Sequence, residues 1–255
     1  MAETNTAQVV IPARMESSRL SGKVLAGIAG KPMLRHVCER SARARLVSSV
    51  SVATDSPQIS EQVQDWGFTV HMTASNLPSG TARIASVLDK LEAEIIVNVQ
   101  GDEPLIEPEL IDQVVEALHD SDVTVTTPIY PLSASNDVHD PNVVKVVVDH
   151  NGRAMYFSRN SIPHVRDTKH EAWLDSTRFW GHVGLYGFRR SVLAAYPTLP
   201  AGELETIERL EQLRFLEAGI AIQTVRAERP SVGVDTPADL ERVRRLFSGD
   251  DAHRA

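Results

Sequence analysis

Three cations stand close together in the stretch Pro12-Ala13-Arg14-Met15-Glu16-Ser17-Ser18-Arg19-Leu20-Ser21-Gly22-Lys23. Arg14, Arg19 and Lys23 are spaced four to five residues apart among small residues. A triphosphate needs several cations and backbone N–H groups converging on it, and this stretch can supply both. The same residues also suit a solvated basic loop, and no Gly-x-x-x-x-Gly-Lys-Ser/Thr pattern is present. Two acids complement the cations. Asp102 lies in Gln100-Gly101-Asp102-Glu103-Pro104, after an apolar run, and Asp235 lies in Gly233-Val234-Asp235-Thr236. An aspartate so placed can hold a hard divalent cation through oxygen. Taken singly, the first is also an ordinary turn and the second an ordinary capping acid. Two acids at strand ends beside a cationic loop favour a metal–phosphate site over either acid alone.

A third group occupies residues 179–188, Phe-Trp-Gly-His-Val-Gly-Leu-Tyr-Gly-Phe. On one strand, period two puts His182, Gly184, Tyr186 and Phe188 on one face. Only Gly184 then separates the imidazole from the phenol, which leaves room for a polar ligand. The same pair also suits a hydrogen-bonded core. Arg159, Arg166 and Asp167 flank Ile162-Pro163 in what reads as a surface loop. Glu211 and Gln212 fall on an expected helix whose apolar stripe is Leu204, Ile207, Leu210 and Leu213, and solvation is the usual fate of such a pair. Met33, Met72 and Met155 read as core fillers.

These residues need a scaffold, and the first half of the chain supplies one by alternation. Strands are expected at Gln8–Ile11, Ser49–Thr54, Thr69–Met72 and Ile95–Val99. Helices are expected at Pro32–Arg45, Ser56–Trp66, Thr81–Leu91 and Glu107–Leu118. Alternating strands and helices imply βαβ units, hence an α/β fold with a largely parallel sheet covered on both faces. In such sheets ligands bind at the carboxyl ends of strands, where the cations and Asp102 fall. The second half changes character. Strands are expected at Val123–Pro128 and Asn142–Val148, with Asp149-His150-Asn151-Gly152 turning into a return strand at Ala154–Phe157. A β-rich lobe is therefore expected over about 130–199. A helix over Glu203–Gly219, a strand over Ile220–Val225 and a helix started by Thr236-Pro237-Ala238-Asp239 complete the chain. Residues 248–255 read as a frayed tail.

The 255 residues carry 26 Lys and Arg against 34 Asp and Glu, a net charge of −8. That balance argues against nucleic acid or an anionic membrane as the main partner. Cys38 is the lone cysteine, so an intramolecular disulfide is impossible and a cysteine zinc site is implausible. No basic start with an apolar segment, and no apolar run of membrane-spanning length, is present. A soluble cytoplasmic protein is the expectation.

In order and spacing, the motifs resemble one family. They are Ile11-Pro12-Ala13-Arg14, Ser18-Arg19-Leu20, Gly22-Lys23, Ala29-Gly30-Lys31-Pro32-Met33, Val52-Ala53-Thr54-Asp55 and Ser79-Gly80-Thr81. They continue with Val97-Asn98-Val99-Gln100-Gly101-Asp102-Glu103-Pro104, Tyr156-Phe157-Ser158-Arg159, His182-Val183-Gly184-Leu185-Tyr186, Leu210-Glu211-Gln212-Leu213-Arg214 and Gly233-Val234-Asp235-Thr236-Pro237. Over about residues 9–246 the chain is similar to the 3-deoxy-manno-octulosonate (Kdo) cytidylyltransferases.

The resemblance implies a nucleotidyltransferase-type three-layer sandwich with a mostly parallel central sheet and a smaller β-rich dimerisation lobe. It implies one domain over 1–255, with the lobe at about 130–199 serving dimerisation and sugar binding, and a homodimer. It implies transfer of CMP from CTP to Kdo with Mg²⁺, for lipopolysaccharide synthesis. On the nucleotide side it implies Pro12, Ala13, Arg14, Arg19, Lys23, Ser79, Gly80, Gln100 and Asp102. For the acceptor it implies Arg83, Gln100, Arg159, His182, Tyr186, Glu211 and Gln212. Asp102 and Asp235 would hold the metal, and these two with Arg14 and Lys23 would be the catalytic set. The chain departs from the family pattern at Ala82, where an acid is usual, and at Leu77-Pro78. Those departures keep open a different acidic acceptor, such as another ulosonic acid or a phosphonate. A catalytically idle nucleotide-binding relative is a third reading, opposed by the intact cation–acid set.

Overall fold

The computed structural model describes residues 7–15, 20, 22–120 and 122–249. In chain order its strands are β1 (Ala7–Ala13), β2 (Gly27–Ile28), β3 (Lys31–Pro32), β4 (Val47–Thr54), β5 (Thr69–Met72) and β6 (Ile95–Val99), then β7 (Val125–Pro131), β8 (Lys145–Val148), β9 (Ala154–Ser158), β10 (Trp180–His182), β11 (Leu185–Arg189) and β12 (Ile222–Arg226). The α-helices are α1 (Met33–Ser41), α2 (Pro57–Asp65), α3 (Gly80–Ala85), α4 (Pro108–Ala117) and α5 (Ser135–His139), then α6 (Trp173–Ser176), α7 (Arg190–Ala195), α8 (Glu203–Glu208), α9 (Leu213–Glu217) and α10 (Pro237–Ser248). Among the described residues no helix is long and apolar enough to cross a membrane.

Along β1, Val9 and Ile11 enter one apolar core and Val10 enters another. Along β6, Val97 and Val99 join the first core and Ile96 the second. Apolar side chains on both faces of a strand mean a sheet sandwiched between helical layers. One core includes Leu34 and Val37 of α1, Val63 of α2 and Val114 of α4. The other includes Ile84 of α3, Leu193 of α7 and Phe215 of α9.

The main sheet runs β5-β4-β1-β6-β11-β7-β10-β8-β9, with β12 parallel to β7. The β5-β4-β1-β6 portion is parallel throughout. From β11 onward the neighbours along that order are antiparallel, and β8 turns into β9 at the expected hairpin. The strands within 130–199 thus extend the main sheet. The small β2–β3 pair is a second, antiparallel sheet.

Local chemistry explains the helix boundaries. Ser56 caps α2 by accepting from the Ile59 N–H at 3.3 Å, with Pro57 in the first turn. Thr236 and Asp239 form a reciprocal capping box at the start of α10, and Gly249 ends that helix at φ 79°.

Three expected elements are interrupted. The helix expected over Thr81–Leu91 ends at Ala85 and resumes as a 3₁₀ turn at Leu88–Lys90. The Ser86 hydroxyl donates back to the Arg83 carbonyl at 2.8 Å, a local bond that competes with helix continuation. The helix expected over Glu203–Gly219 is split into α8 and α9 by Arg209, whose φ is +54°. Consequently Leu204 and Ile207 are exposed while Leu210 and Leu213 are buried. The strand expected over residues 179–188 is two strands. β10 pairs His182 with Ile129 and β11 pairs Gly187 with Thr126, registers that differ by two residues across Val183–Gly184. Met33 is buried, but Met72 and Met155 are exposed, because β5 and β9 end the sheet at its two edges.

Candidate active site

The ends of β1 and β6, the start of α3 and the loop before α10 enclose a hollow of about 260 Å³. Pro12, Ala13, Arg14, Lys23, Ser79, Gly80, Arg83, Gln100, Asp102 and Asp235 line it. A second hollow of about 770 Å³ adjoins it and is walled by Arg159, His182, Tyr186, Glu211 and Gln212. Gln100, Asp102 and Asp235 line both, so the two spaces meet at an acidic rim. The expected nucleotide-side residues therefore gather in one place, except Arg19, which lies outside the described residues. The expected acceptor residues gather in the other, except Arg83. That side chain is buried in the smaller hollow, tied to Thr73, to the Ala74 carbonyl at 3.4 Å and to Asp55 at 3.5 Å. Asp55 follows β4, on the side of the smaller hollow away from β10 and β11, and this anchor holds the guanidinium away from the larger one.

Lys23 is the centre of charge. Its Nζ donates to Asp102 Oδ2 at 2.6 Å, Asp235 Oδ1 at 3.0 Å and the Val234 carbonyl at 3.0 Å. Burial pulls its pKa down, and the Asp102 and Asp235 carboxylates outweigh that, leaving it above the ordinary lysine value. A backbone bond from the Val234 N–H to the Asp102 carbonyl, 2.9 Å, fixes the two acid-bearing loops together. Close approach matters here: a Cβ on Gly101 would come within 3.2 Å of the Pro12 carbonyl.

Glu103 reads in the sequence only as part of the Gln100–Pro104 turn. Its carboxyl accepts from the Ser231 hydroxyl and lines the larger hollow. Burial, then the charge of Asp102, pushes its pKa up to about 8, against the Ser231 hydrogen bond. An acid beside another acid, Asp102-Glu103, is the signal that could have marked it.

On the far wall the His182 and Tyr186 rings lie 5.4 Å apart, facing each other as the spacing predicts. The Thr127 hydroxyl contacts His182 Nε2 at 2.8 Å, the Leu185 carbonyl at 2.8 Å and the Val183 carbonyl at 3.2 Å. Its one proton goes to a carbonyl, so Nε2 carries hydrogen and donates to the hydroxyl. Burial lowers the His182 pKa to about 3, which keeps this ring neutral. Burial, then Glu211, holds the Tyr186 phenol well above its usual pKa.

Glu211 and Gln212 are turned inward rather than solvated, because the break at Arg209 rotates the chain between α8 and α9. The Thr81 N–H reaches Glu211 Oε2 at 3.4 Å. Burial raises the Glu211 pKa against hydrogen bonds from Ser79 and Thr81. Gln212 is 2% exposed, and its Nε2 has no hydrogen-bond partner among the described residues. Ala82 and Pro78 line neither hollow, whereas Leu77 lines the smaller one.

An α/β sheet whose strand ends carry two joined hollows, with cations in one and carboxylates at the rim, has the layout of a nucleotidyltransferase. The sequence matches the cytidylyltransferase family over residues 8–224, which makes the protein an enzyme of that class. It is 50% identical over 239 residues to the 3-deoxy-manno-octulosonate cytidylyltransferase of Solibacter usitatus, covering 93% of each chain. With the enzyme of the same name from Geobacter sulfurreducens the identity is 48% over 240 residues, covering 92% of this chain and 96% of that one. A solved structure of a CMP:2-keto-3-deoxy-manno-octonic acid synthetase complexed with CTP aligns with a TM-score of 0.89 at 42% identity, covering 96% of this chain and 99% of that chain. The chain belongs to the 3-deoxy-manno-octulosonate cytidylyltransferase family.

Proposed function

We propose that the enzyme transfers CMP from CTP to the anomeric hydroxyl of 3-deoxy-D-manno-octulosonate, giving CMP-Kdo and pyrophosphate for lipopolysaccharide synthesis. One observation carries this reading: Gln100, Asp102 and Asp235 line both hollows, so two substrates can meet at one acidic rim. CTP belongs in the smaller hollow, against Pro12, Ala13, Ser79 and Gly80, with Arg14, Arg19 and Lys23 for its phosphates. The sugar acid belongs in the larger hollow. There the Arg159 guanidinium suits a carboxylate fork, and the orphan Gln212 amide suits a sugar hydroxyl.

The donor set also fits a hard metal. Asp102 and Asp235 already converge on one cation, the Lys23 ammonium. Among the described residues no group of three His, Cys, Asp or Glu forms a cage. Mg²⁺ characteristically takes one or two carboxylates and completes its shell with waters and phosphate oxygens. Asp102 and Asp235 would hold it, and when bound it would lower the hydroxyl's pKa and neutralise phosphate charge.

The chain's own residues do the rest. The joined hollows hold the acceptor hydroxyl in line with the α-phosphorus. The hydroxyl gives up its proton to water in the open hollow, its oxygen bonds to phosphorus as the bond to pyrophosphate breaks, and Arg14 and Lys23 receive the charge that builds on the leaving group. No covalent enzyme intermediate is needed. Ala82 lies outside both walls, which favours Kdo over another acidic acceptor. The family resemblance further supports a homodimer using the lobe at about 130–199, a single domain over 1–255 and a cytoplasmic location.

The test is pyrophosphate release from CTP and Mg²⁺ with Kdo, beside a control without acceptor. Asp102→Asn and Asp235→Asn are each expected to lower kcat by at least about 100-fold while the melting temperature stays within a few degrees. Near-normal turnover in both variants would overturn the metal and catalytic assignments. Turnover with another ulosonic acid but not with Kdo would replace the acceptor.

A further inference from the structure

A buried ammonium lies behind the wall of the larger hollow. Lys145 opens β8 within the apolar run Val143-Val144-Lys145-Val146-Val147-Val148 and is 0% exposed. Its Nζ donates to the backbone carbonyls of Asp140 at 2.8 Å, Val143 at 2.7 Å and Arg159 at 2.6 Å. Three carbonyls need three N–H donors, and only the protonated amine has three. A buried charge is costly unless fully hydrogen-bonded, so an apolar side chain would serve packing alone better. All three carbonyl owners line the larger hollow.

Arg159 is held from other directions too. Its N–H donates to Glu208 Oε2 at 2.9 Å, and its guanidinium donates to the carbonyls of Glu208 at 2.8 Å, Pro141 at 3.1 Å and Arg209 at 3.4 Å. Three of the five guanidinium N–H groups are thus spent on carbonyls, and the other two suit a carboxylate.

We propose that Lys145 is a positioning residue for acceptor binding: it ties the 140–143 loop to the backbone of Arg159, so that this guanidinium is preset for the acceptor's carboxylate. The proposal rests on the acceptor reading above. The buried cation also adds positive potential behind a wall that receives an anion.

The experiment is steady-state kinetics of Lys145→Met and Lys145→Gln, with folding checked by thermal melting and CTP binding by calorimetry. Lys145→Met is expected to raise the KM for Kdo by about ten-fold or more, with kcat and the KM for CTP changed by less than about three-fold. Lys145→Gln, which restores two donors without charge, is expected to fall between. In an Arg159→Ala background Lys145→Met should add less than about two-fold, because the residue it positions is gone. A merely structural lysine would lower the active fraction and leave the KM for Kdo unchanged, and that result overturns the proposal. If neither variant folds, hydrogen exchange on the unmutated enzyme decides. Kdo should then protect residues 140–145 and 158–160 together beyond any effect of CTP alone, and the absence of such protection overturns the proposal. Failure of the unmutated enzyme to use Kdo is a separate result, which removes the acceptor reading and this proposal with it.

Discussion

His182 makes a quantitative prediction. Its ring is half-buried in the wall of the larger hollow, donates from Nε2 to Thr127 and stands edge-on to Phe157 at 5.0 Å. Burial lowers its pKa to about 3, against an ordinary value of 6.5. Above pH 6.5 the ring is neutral folded or unfolded, and the residue's full stabilisation is present. As pH falls below 6.5 the unfolded chain takes up a proton that the folded chain refuses, so stability is lost progressively down to about pH 3. Each pH unit in that window costs at most about 1.4 kcal/mol, so lowering pH from 6.5 to 5 removes about 2 kcal/mol. Urea denaturation at pH 7, 6 and 5 measures this. His182→Gln cannot titrate, and its stability should fall less steeply, the difference between the two proteins reaching about 2 kcal/mol at pH 5 after correction for any offset at pH 7. Parallel pH profiles for the two proteins would refute the argument, since they would mean that the ring charges in place.

Two further outcomes follow from the buried titratable groups. Lys23→Met leaves Asp102 and Asp235 facing each other without their shared cation, so the variant should lose about 1–3 kcal/mol of stability. Millimolar Mg²⁺ should restore its melting temperature more than it raises that of the unmutated protein, and equal shifts would show that the acids do not share a cation site. Cys38 is buried on α1, and burial, then Glu39, pushes its thiol pKa up to about 12. The native protein should therefore resist Ellman's reagent at pH 8 and react once unfolded, and rapid native labelling would contradict the burial.

The fold's first half was legible because its signals are local. β5 and β6 match the expected strands Thr69–Met72 and Ile95–Val99, and the cap of α10 is readable from Thr236-Pro237-Ala238-Asp239. The misses come from long-range demands. Nothing near Arg209 announces a positive φ, yet the turn there places the Glu208 and Arg209 carbonyls against the Arg159 guanidinium. The single strand drawn through residues 179–188 overlooked the register change at Val183–Gly184, which depends on partners about fifty residues earlier. Much of the candidate site's gathering is legible, because charge is conspicuous in sequence: Arg14, Lys23 and Asp102 are marked by type and by the strand they follow, whereas Asp235, expected at a strand end, lies in the loop before α10, nine residues past the end of β12. Lys145 carries a signal of its own, a lone cation within five valines.

Strand β11 carries a consequence for how the chain reaches this fold. It lies between β6 and β7, so residues 185–189 close the edge left by residues 95–99. During synthesis the parallel portion is made first, and β6, apolar but for Asn98, waits with an unpaired edge until some ninety more residues have emerged. Non-local closure of this kind slows folding, and an exposed edge invites pairing with another chain. The protein's most aggregation-prone moment is therefore a half-made one, and a nascent chain arrested near residue 120 is the species that a holding chaperone would have to cover.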